Sequence, residues 1–406
     1  MSTTGFKFAK TGANVRIADF IAFVADRATE QVLKSFVLEQ AMPHVHIVLG
    51  GIDDAIAYVG KLERSPLFLL VDLHGSSMPL SDLGRLSEVC EPSVQVVALG
   101  ERNDVGLFRS LLKLGVRDYL VKPLTVELLK RTVNVGEGKI SQVSSTRVGK
   151  TIAFAGTRGG VGVTTLALNL SRHLAEQTHR RVAYVDLNVH GGPANSMLDI
   201  KSNNGLSDVL ENVHRLDPQY VERSLVAKST RLFVLSADLD FGHEKSFQEG
   251  ALKRVLQLLC DSFHYVILDI GNSADPLAIE AFDNASRVYL VADRSVFSTR
   301  QTIRLLRYVE DRDNNPPTSL LLNSPNAASA GKVNLVDFVS AVGRNALLEV
   351  QFETKFISIA ENLGEMPKEK ATNGFRQSIT QIANDLTGQH AAIERTFLQK
   401  LRLRRA

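Results

Sequence analysis

Short apolar runs alternate with helical patterns from residue 19 to residue 133, and this alternation predicts the architecture of the first part of the chain. Five runs have the length and composition of buried strands: Phe20–Val24, His46–Leu49, Phe68–Val71, Val94–Leu99 and Asp118–Val121. Helical segments separate them, an order typical of a parallel sheet covered on both faces. Such sheets carry function at the carboxyl ends of their strands. Those ends hold Asp26, Asp72, Gly100 and Lys122.

A second pattern begins at Thr151, where a strand-like run enters a loop with three glycines. The first turns of a buried helix follow at Leu166–Leu170, within an amphipathic pattern that continues to Leu174. Glycines let several backbone N–H groups point inward, and the helix adds its positive N-terminal end. This order predicts a phosphate-binding loop in which the Thr164 hydroxyl binds Mg2+, as in a Walker A loop. Val163 stands in place of that motif's lysine, and Thr157 in place of its first glycine. A glycine-rich turn without a ligand is the alternative interpretation.

Further apolar runs predict that a second doubly wound sheet follows this loop. The run Tyr265–Ile270 carries Asp269, at the position where a Walker B carboxylate meets a metal ion through water. A preceding run reaches Asp186 and Asn188 near its end. Two later strands are predicted at Arg287–Ala292 and Ser319–Leu322.

The segment from Arg158 to Thr165 resembles the Lys-Gly-Gly-x-Gly-Lys-Thr-Thr loop of the MinD/ParA family of dimerising ATPases. The resemblance implies a P-loop NTPase-like domain that binds ATP or ADP with Mg2+ and forms a homodimer. The implied nucleotide-binding residues are Arg158, Gly159, Gly160, Val161, Gly162, Val163, Thr164, Thr165 and Asn323, the last at the adenine-contacting position. The implied metal ligands are Thr164, Asp186 and Asp269.

The departures from this family concern hydrolysis. Arg158 and Val163 replace its two loop lysines, and Asn188 replaces the second carboxylate of its Asp-x-Asp strand end, which orients the attacking water. An amide can hold a water molecule but cannot take its proton, so weak or no ATP hydrolysis is expected. The resemblance gives Arg158 the contact across the dimer interface to the partner's phosphates. Residues 358–364 are similar to the family's Ala-x-Asn-x-Gly segment near the C-terminus.

The first part of the chain resembles a response-regulator receiver domain. Asp72 stands at the phospho-accepting position, and the segment ending in Lys122-Pro123 matches the family's closing strand and lysine. Directly after the first strand, Ala25 is followed by Asp26, so only one acidic residue is present where a receiver has its magnesium site. Gly100 takes the position of the switch hydroxyl. The usual Thr-mediated switch is therefore absent, and we expect this domain to dock partners rather than to receive phosphate. A flavodoxin-like scaffold in which Asp72 and Lys122 have no role is the alternative.

The predicted elements and the composition of the segment between them together give the domain boundaries. The chain of 406 residues has 44% hydrophobic residues, two cysteines without metal-ligand spacing and a net charge of +3, which favours no particular class of polyanionic partner. We predict an atypical receiver-like domain at 15–133, a linker at 134–149, a MinD/ParA-like domain at 150–390 and a basic amphipathic tail at 391–406. No apolar run reaches the length of a membrane span, and the N-terminus lacks a signal-peptide core.

A degenerate receiver joined to a deviant MinD/ParA domain resembles the TadZ/CpaE family of tight-adherence (Flp, type IV-like) pilus assembly proteins. That resemblance implies a cytoplasmic factor at the inner membrane or a cell pole. It would recruit the pilus secretion ATPase and inner-membrane assembly proteins, and no nucleic-acid partner is expected. The tail Ile393–Ala406 has helical apolar spacing and basic residues, so it could lie on an anionic membrane. Packing on its own domain is the alternative for the tail, and an active MinD/ParA-type ATPase that positions DNA or division or flagellar proteins is the alternative function.

Overall fold

The computed structural model describes residues 20–62, 65–133, 148–201, 203–240, 242, 247–323, 332–350, 353, 355–363 and 373–388. The chain divides into two units between Arg147 and Val148. The predicted linker lies outside the described residues except for its last two positions, and the predicted tail lies outside them entirely.

The first unit contains a five-stranded parallel sheet in the order β2-β1-β3-β4-β5. The strands are β1 (Phe20–Val24), β2 (Val45–Leu49), β3 (Phe68–Asp72), β4 (Gln95–Gly100) and β5 (Asp118–Val121). The helices are α1 (Arg27–Glu39), α2 (Ile52–Val59), α3 (Pro79–Val89), α4 (Val105–Lys113) and α5 (Val126–Val133). This is one of the two common doubly wound orders. Each predicted strand is present with bounds within one residue, and the receiver-like assignment stays a prediction.

The second unit is built on an eight-stranded sheet in the order β13-β12-β11-β6-β10-β7-β9-β8. Its strands are β6 (Lys150–Gly156), β7 (Val182–Asp186), β8 (Val226–Ala227), β9 (Leu232–Leu235), β10 (Tyr265–Ile270), β11 (Arg287–Ala292), β12 (Thr318–Leu322) and β13 (Leu348–Glu349). All neighbouring strands are parallel except β8 and β9. The predicted second doubly wound sheet is confirmed.

Ten α-helices are described in the second unit. They are α6 (Val163–Glu176), α7 (Ala194–Met197), α8 (Gly205–Glu211), α9 (Pro218–Ser224), α10 (Ala251–Ser262), α11 (Pro276–Asp283), α12 (Val296–Glu310), α13 (Leu335–Val342), α14 (Lys355–Leu363) and α15 (Asn373–Thr387). A 3-10 turn spans Val213–Arg215. Among the described residues, no helix combines the length and the apolar character that a membrane span requires.

Helix α6 is buried on both sides, as the apolar residues at its start predicted. Apolar residues of α6 and α15 share one core cluster with side chains of the sheet, so α15 covers the face of α6 that points away from the strands. Because α6 is buried on both sides, its polar side chains must find hydrogen-bond partners within the helix. The Asn169 amide donates to the Thr165 carbonyl, and the Ser171 hydroxyl donates to the Ala167 carbonyl.

The register of the sheet places the candidate chemistry at one edge. Asp186 on β7 lies directly beside Asp269 on β10, and Asp269 lies beside Phe154 on the central strand β6. The loop that follows β6 therefore begins next to both carboxylates, because parallel strands end at the same edge of a sheet.

Candidate functional site

The loop between β6 and α6 has the backbone of a phosphate cradle. Gly160 and Gly162 have φ values of 72° and 94°, which lie in the left-handed region that favours glycine. Gly162 is constrained a second time, because a Cβ atom there would lie 2.4 Å from the Asn323 amide nitrogen. Both glycines are required by geometry.

The loop presents unpaired backbone donors. The N–H of Thr157 donates to the Val291 carbonyl, and the N–H of Leu166 donates to the Gly162 carbonyl. In the described part of the chain, no acceptor is found for the N–H groups of the eight residues between them. Successive N–H groups at a helix N-terminus bind phosphate or another anion. The cradle therefore fits a nucleotide phosphate without any side-chain charge.

Val163 is turned back against the loop. A Cβ atom added to Gly156 would lie 2.7 Å from a methyl group of Val163, so this side chain packs on the end of β6. Val163 also contacts the core cluster beneath α6. The loop that this segment resembles has a lysine at this position, whereas here the apolar Val163 side chain packs at the base of the loop.

Asn323 and Thr165 have partners that the sequence did not predict. The Asn323 amide donates to the Val161 carbonyl at 2.8 Å, so it braces the loop. The Thr165 hydroxyl donates to a carboxylate oxygen of Glu361 on α14 at 2.7 Å. The structure thus places both residues at the cradle, and the adenine contact of Asn323 stays a prediction.

Asp186 and Asp269 form a buried pair of carboxylates. They are 3% and 2% exposed and lie side by side on neighbouring strands. Burial and the neighbouring Asp269 raise the pKa of Asp186 to about 7, although the N–H groups of Asn188 and Ala194 favour its ionised form. Burial likewise raises the pKa of Asp269. Two such groups need a proton or a cation between them.

The donor set around this pair fits Mg2+. The Tyr184 hydroxyl donates to Oδ2 of Asp269 at 2.6 Å, whereas Oδ1 of Asp269 is buried without a hydrogen-bond partner among the described residues. Thr164 interacts with the same carboxyl group and opposes the rise of its pKa. A hydroxyl and two carboxylates are the hard oxygen ligands that Mg2+ prefers. The structure thus brings Thr164, Asp186 and Asp269 together, and their role as metal ligands stays a prediction.

Asn188 lies at the mouth of the site. Its side chain is exposed, and a Cβ atom added to Gly271 would lie 3.1 Å from Asn188 Cβ. The segments that follow β7 and β10 are therefore in contact, and glycine at 271 allows this approach. Asn188 can hold a water molecule there but offers no carboxylate to deprotonate it.

Arg158 is bound within its own chain. Its Nε and one terminal nitrogen donate to Oδ2 of Asp293 at 2.8 and 2.5 Å, and the Ser295 hydroxyl and N–H occupy Oδ1. Burial would raise the pKa of Asp293, but the hydrogen bonds from Arg158 and Ser295 outweigh it and lower that pKa. The contact of Arg158 with a partner subunit stays a prediction, and it requires release from Asp293.

A cleft of about 730 Å³ adjoins Arg158. It lies between residues 156–159, residues 271–274 and helix α12, whose Arg304, Arg307 and Phe297 line its far wall. The start of the loop, residues 156–159, therefore forms part of the wall of this cleft.

In the first unit, Asp72 is sealed. Its Oδ2 accepts hydrogen bonds from the Ala25 N–H at 2.9 Å and from Lys122 Nζ at 2.6 Å, and its Oδ1 accepts from the His74 N–H at 2.9 Å. The Asp72 side chain is 0% exposed. Lys122 also pairs with Asp26 at 2.6 Å and lowers the pKa of Asp26 to about 2. The three predicted residues meet, and an ammonium group lies between the two carboxylates.

Tyr119 fills the space beside Gly100. A Cβ atom at Gly100 would lie 2.4 Å from the Tyr119 hydroxyl oxygen, and that hydroxyl donates to the Arg102 carbonyl at 2.9 Å. Any side chain at position 100 would therefore displace a buried ring. The absence of a switch hydroxyl and the inward position of Tyr119 are one packing arrangement.

Sequence reasoning missed four residues that complete these sites. Tyr184 is two positions before Asp186 on a strand, so strand periodicity could have placed its side chain on the same face. Asp293 directly follows β11 and could have been found as a strand-end carboxylate. Tyr119 and Glu361 gave no sequence signal, because their contacts depend on residues 19 and 196 positions away.

Comparison with known proteins defines the class of the second unit. Residues 149–320 match a family model described as an AAA domain. The chromosome-partitioning ATPase Soj of Thermus thermophilus is 29% identical over 59% of this chain and 91% of its own. A ParA family ATPase from Chlorobium tepidum superposes with a TM-score of 0.52 at 16% identity, over 58% of this chain and 98% of its own. A pilus assembly protein CpaE from Caulobacter crescentus is 30% identical over 28% of this chain and 88% of its own, with a TM-score of 0.26.

The second unit has the α/β P-loop NTPase fold of ParA/MinD-like proteins. Its relatives include ATPases such as Soj, and the MinD protein of Pyrococcus horikoshii, which superposes with a TM-score of 0.51 at 18% identity over 60% of this chain, was solved with Mg-ADP. Within that fold, the glycine loop lies between the paired carboxylates and Asn323.

Without Mg2+, the second unit is expected to lose stability as the pH rises from about 4 to about 7. The folded pKa of Asp186 is about 7 against an ordinary 3.8, so the unfolded chain releases this proton first, and the penalty grows until the folded carboxyl also ionises. Urea midpoints measured from pH 4 to 8 in EDTA check this, with Asp186→Asn as the control and with added Mg2+ expected to restore the loss. Wild-type and Asp186→Asn midpoints that change in parallel would contradict it.

Lys122→Met is expected to destabilise the first unit by about 3 kcal/mol or more, because the fully buried Asp72 carboxylate loses its ammonium partner. Lys130→Met is the matched control, since it breaks an exposed ion pair with Glu39 worth at most about 1 kcal/mol. The combined Lys122→Met and Asp72→Asn variant should recover most of the loss. Chemical denaturation of the full chain provides the measurement, and equal effects of the two lysine variants would refute the buried pairing.

Proposed function

We propose that this protein is a nucleotide-binding localisation and assembly factor of a tight-adherence (Flp) pilus secretion system, of the TadZ/CpaE type. It acts in the cytoplasm, binds ATP with Mg2+ as a ligand that stabilises a homodimer, and hydrolyses it little. It recruits the pilus secretion ATPase and inner-membrane assembly proteins. The single observation that carries the proposal is a cradle of unpaired N–H donors beside Val163, an apolar side chain where an ATPase needs its lysine.

Binding rests on the backbone and on oxygen ligands. The loop N–H groups would receive the phosphates, while Thr164, Asp186 and Asp269 would hold Mg2+, which supplies positive charge beside the phosphate oxygens. Exposed Asn188 would position a water molecule without activating it. Catalysis of phosphoryl transfer depends on electrostatic stabilisation of the transferred group, and this chain lacks the lysine that provides much of it.

The first unit supports an assembly role over a signalling role. Asp72 has no exposed surface and its oxygens are engaged, so a phosphodonor cannot reach it without disruption of the Lys122 pair. Tyr119 is fixed beside Gly100. A domain whose surface does not change on phosphorylation is suited to docking a partner at all times. The basic tail Ile393–Ala406 would add a peripheral membrane contact.

An active ATPase that positions DNA or division or flagellar proteins is the second candidate. The similarity to Soj, a chromosome-partitioning ATPase, favours it. Val163 and Asn188 count against it, because each removes a group that acts on the reacting phosphate or on the attacking water. ATP turnover separates the two candidates.

We expect the wild-type protein to bind ATP with Mg2+ and to turn it over far more slowly than about 1 per second, the lower end of ordinary enzyme rates. Val163→Lys should tighten binding, since it returns a positive charge to the cradle, but should not restore full turnover while Asn188 remains. Calorimetry and a phosphate-release assay measure both quantities, and Gln177→Lys, at the other end of α6, is the control because it adds the same single positive charge away from the loop. Wild-type turnover of about 1 per second or more would support the second candidate.

Asp293→Asn should strengthen ATP-dependent dimerisation, because it releases Arg158 from its ion pair and frees the guanidinium for a partner's phosphates. Arg158→Ala should weaken dimerisation more with Mg-ATP than without it. Sedimentation of both variants with and without Mg-ATP provides the measurement. Arg344→Ala is the control, since it breaks the surface pair with Glu310. Identical dimer constants in all samples would exclude Arg158 from the interface.

A further inference from the structure

Tyr184 lies beneath the paired carboxylates and is fully buried. Its hydroxyl donates to Oδ2 of Asp269 at 2.6 Å. A buried hydroxyl costs free energy unless it is hydrogen-bonded, so the ring and the carboxyl group constrain each other. Burial and the charges of Asp269 and Asp186 raise the pKa of Tyr184 well above its usual value, which keeps the donating proton in place.

This hydrogen bond distinguishes the two oxygens of Asp269. Oδ2 is taken by Tyr184, whereas Oδ1 is buried and has no hydrogen-bond partner among the described residues. The Asp269 side chain could otherwise rotate to offer either oxygen. Thr164 and Asp186 lie beside the same carboxyl group, so the free oxygen belongs to the donor set described above.

We propose that Tyr184 is a positioning residue for magnesium: its hydroxyl holds Asp269 so that Oδ1 remains available to the cation of a bound Mg-nucleotide. The inference rests on the nucleotide binding proposed above and adds a residue to it. Partners that orient a metal-binding carboxylate contribute about 10- to 100-fold to metal affinity. The effect of Tyr184 is therefore on the advantage that Mg2+ gives to ATP binding.

The chain contains a matched comparison on the same sheet. Tyr289 on β11 is also fully buried, and its hydroxyl donates to Asp385 on α15 at 2.8 Å. That carboxylate fixes α15 through Tyr289 and Arg287 and lies outside the donor set. Tyr289→Phe removes the same kind of hydrogen bond without touching Asp269, so it reports the purely structural cost of such a change.

The experiment measures ATP affinity in excess Mg2+ and in EDTA for wild type, Tyr184→Phe and Tyr289→Phe by calorimetry. The Mg2+ ratio is the dissociation constant of ATP in EDTA divided by that in excess Mg2+. This ratio is expected to fall about tenfold in Tyr184→Phe and to stay at the wild-type value in Tyr289→Phe. Thermal unfolding in EDTA should show similar losses for both variants. A Tyr184→Phe ratio within twofold of wild type would overturn the inference and leave the proposed function standing. Absence of ATP binding by the wild type would overturn both.

A second background keeps the test decisive if Tyr184→Phe is poorly folded. Asp269→Asn removes the buried charge that Tyr184 stabilises, so Tyr184→Phe is expected to cost less stability in that background. If Tyr184 acts through Asp269, the double variant and Asp269→Asn have the same Mg2+ ratio. A further tenfold loss in the double variant would show that Tyr184 acts through another group, which overturns the inference.

Discussion

The candidate site of the second unit depends on the repulsion between two carboxylates, Asp186 and Asp269, that strand pairing places together. Parallel pairing of β7 and β10 brings Asp186 and Asp269 side by side in a site from which water is nearly excluded. Two carboxylates in this position cannot both ionise cheaply, so the fold contains a site that favours a proton or a cation. The surrounding donors reduce this cost only partly, because Oδ1 of Asp269 has no hydrogen-bond partner among the described residues. The cation binding proposed for this site would thus follow from backbone register rather than from an exposed charged surface.

The two units resolve similar charge problems in different ways. In the first unit, Lys122 lies between Asp26 and Asp72 and supplies the positive charge from within the chain. Among the described residues of the second unit, no lysine or arginine forms an ion pair with Asp186 or Asp269, and the loop cation Arg158 is paired with Asp293. Asp26 and Asp72 are therefore neutralised within the chain, whereas Asp186 and Asp269 favour a proton or a cation from outside it.

The sequence predicted most of what depends on local pattern. The strand runs were correct, and the glycine loop and the strand-end carboxylates lie at one edge of the sheet, because parallel strands order their polar ends along one edge. Residues whose roles depend on distant partners were missed. Glu361 reaches Thr165 across 196 positions, and the sequence did not identify α15 as the helix that covers α6. The pairing of Arg158 with Asp293 likewise required the position of β11 beside β6.

The order of strands has a consequence for synthesis on the ribosome. The first unit has all five strands once Val121 is made, and each of them pairs within that short span. The central strand β6, in contrast, is made first in its sheet but pairs with β10 and β11, which follow roughly a hundred residues later. The nascent chain therefore carries an apolar strand with both edges open while a finished domain precedes it, and unpaired edges of this kind recruit chaperones or aggregate. Slow elongation between Gly156 and Tyr265 would lengthen that exposure.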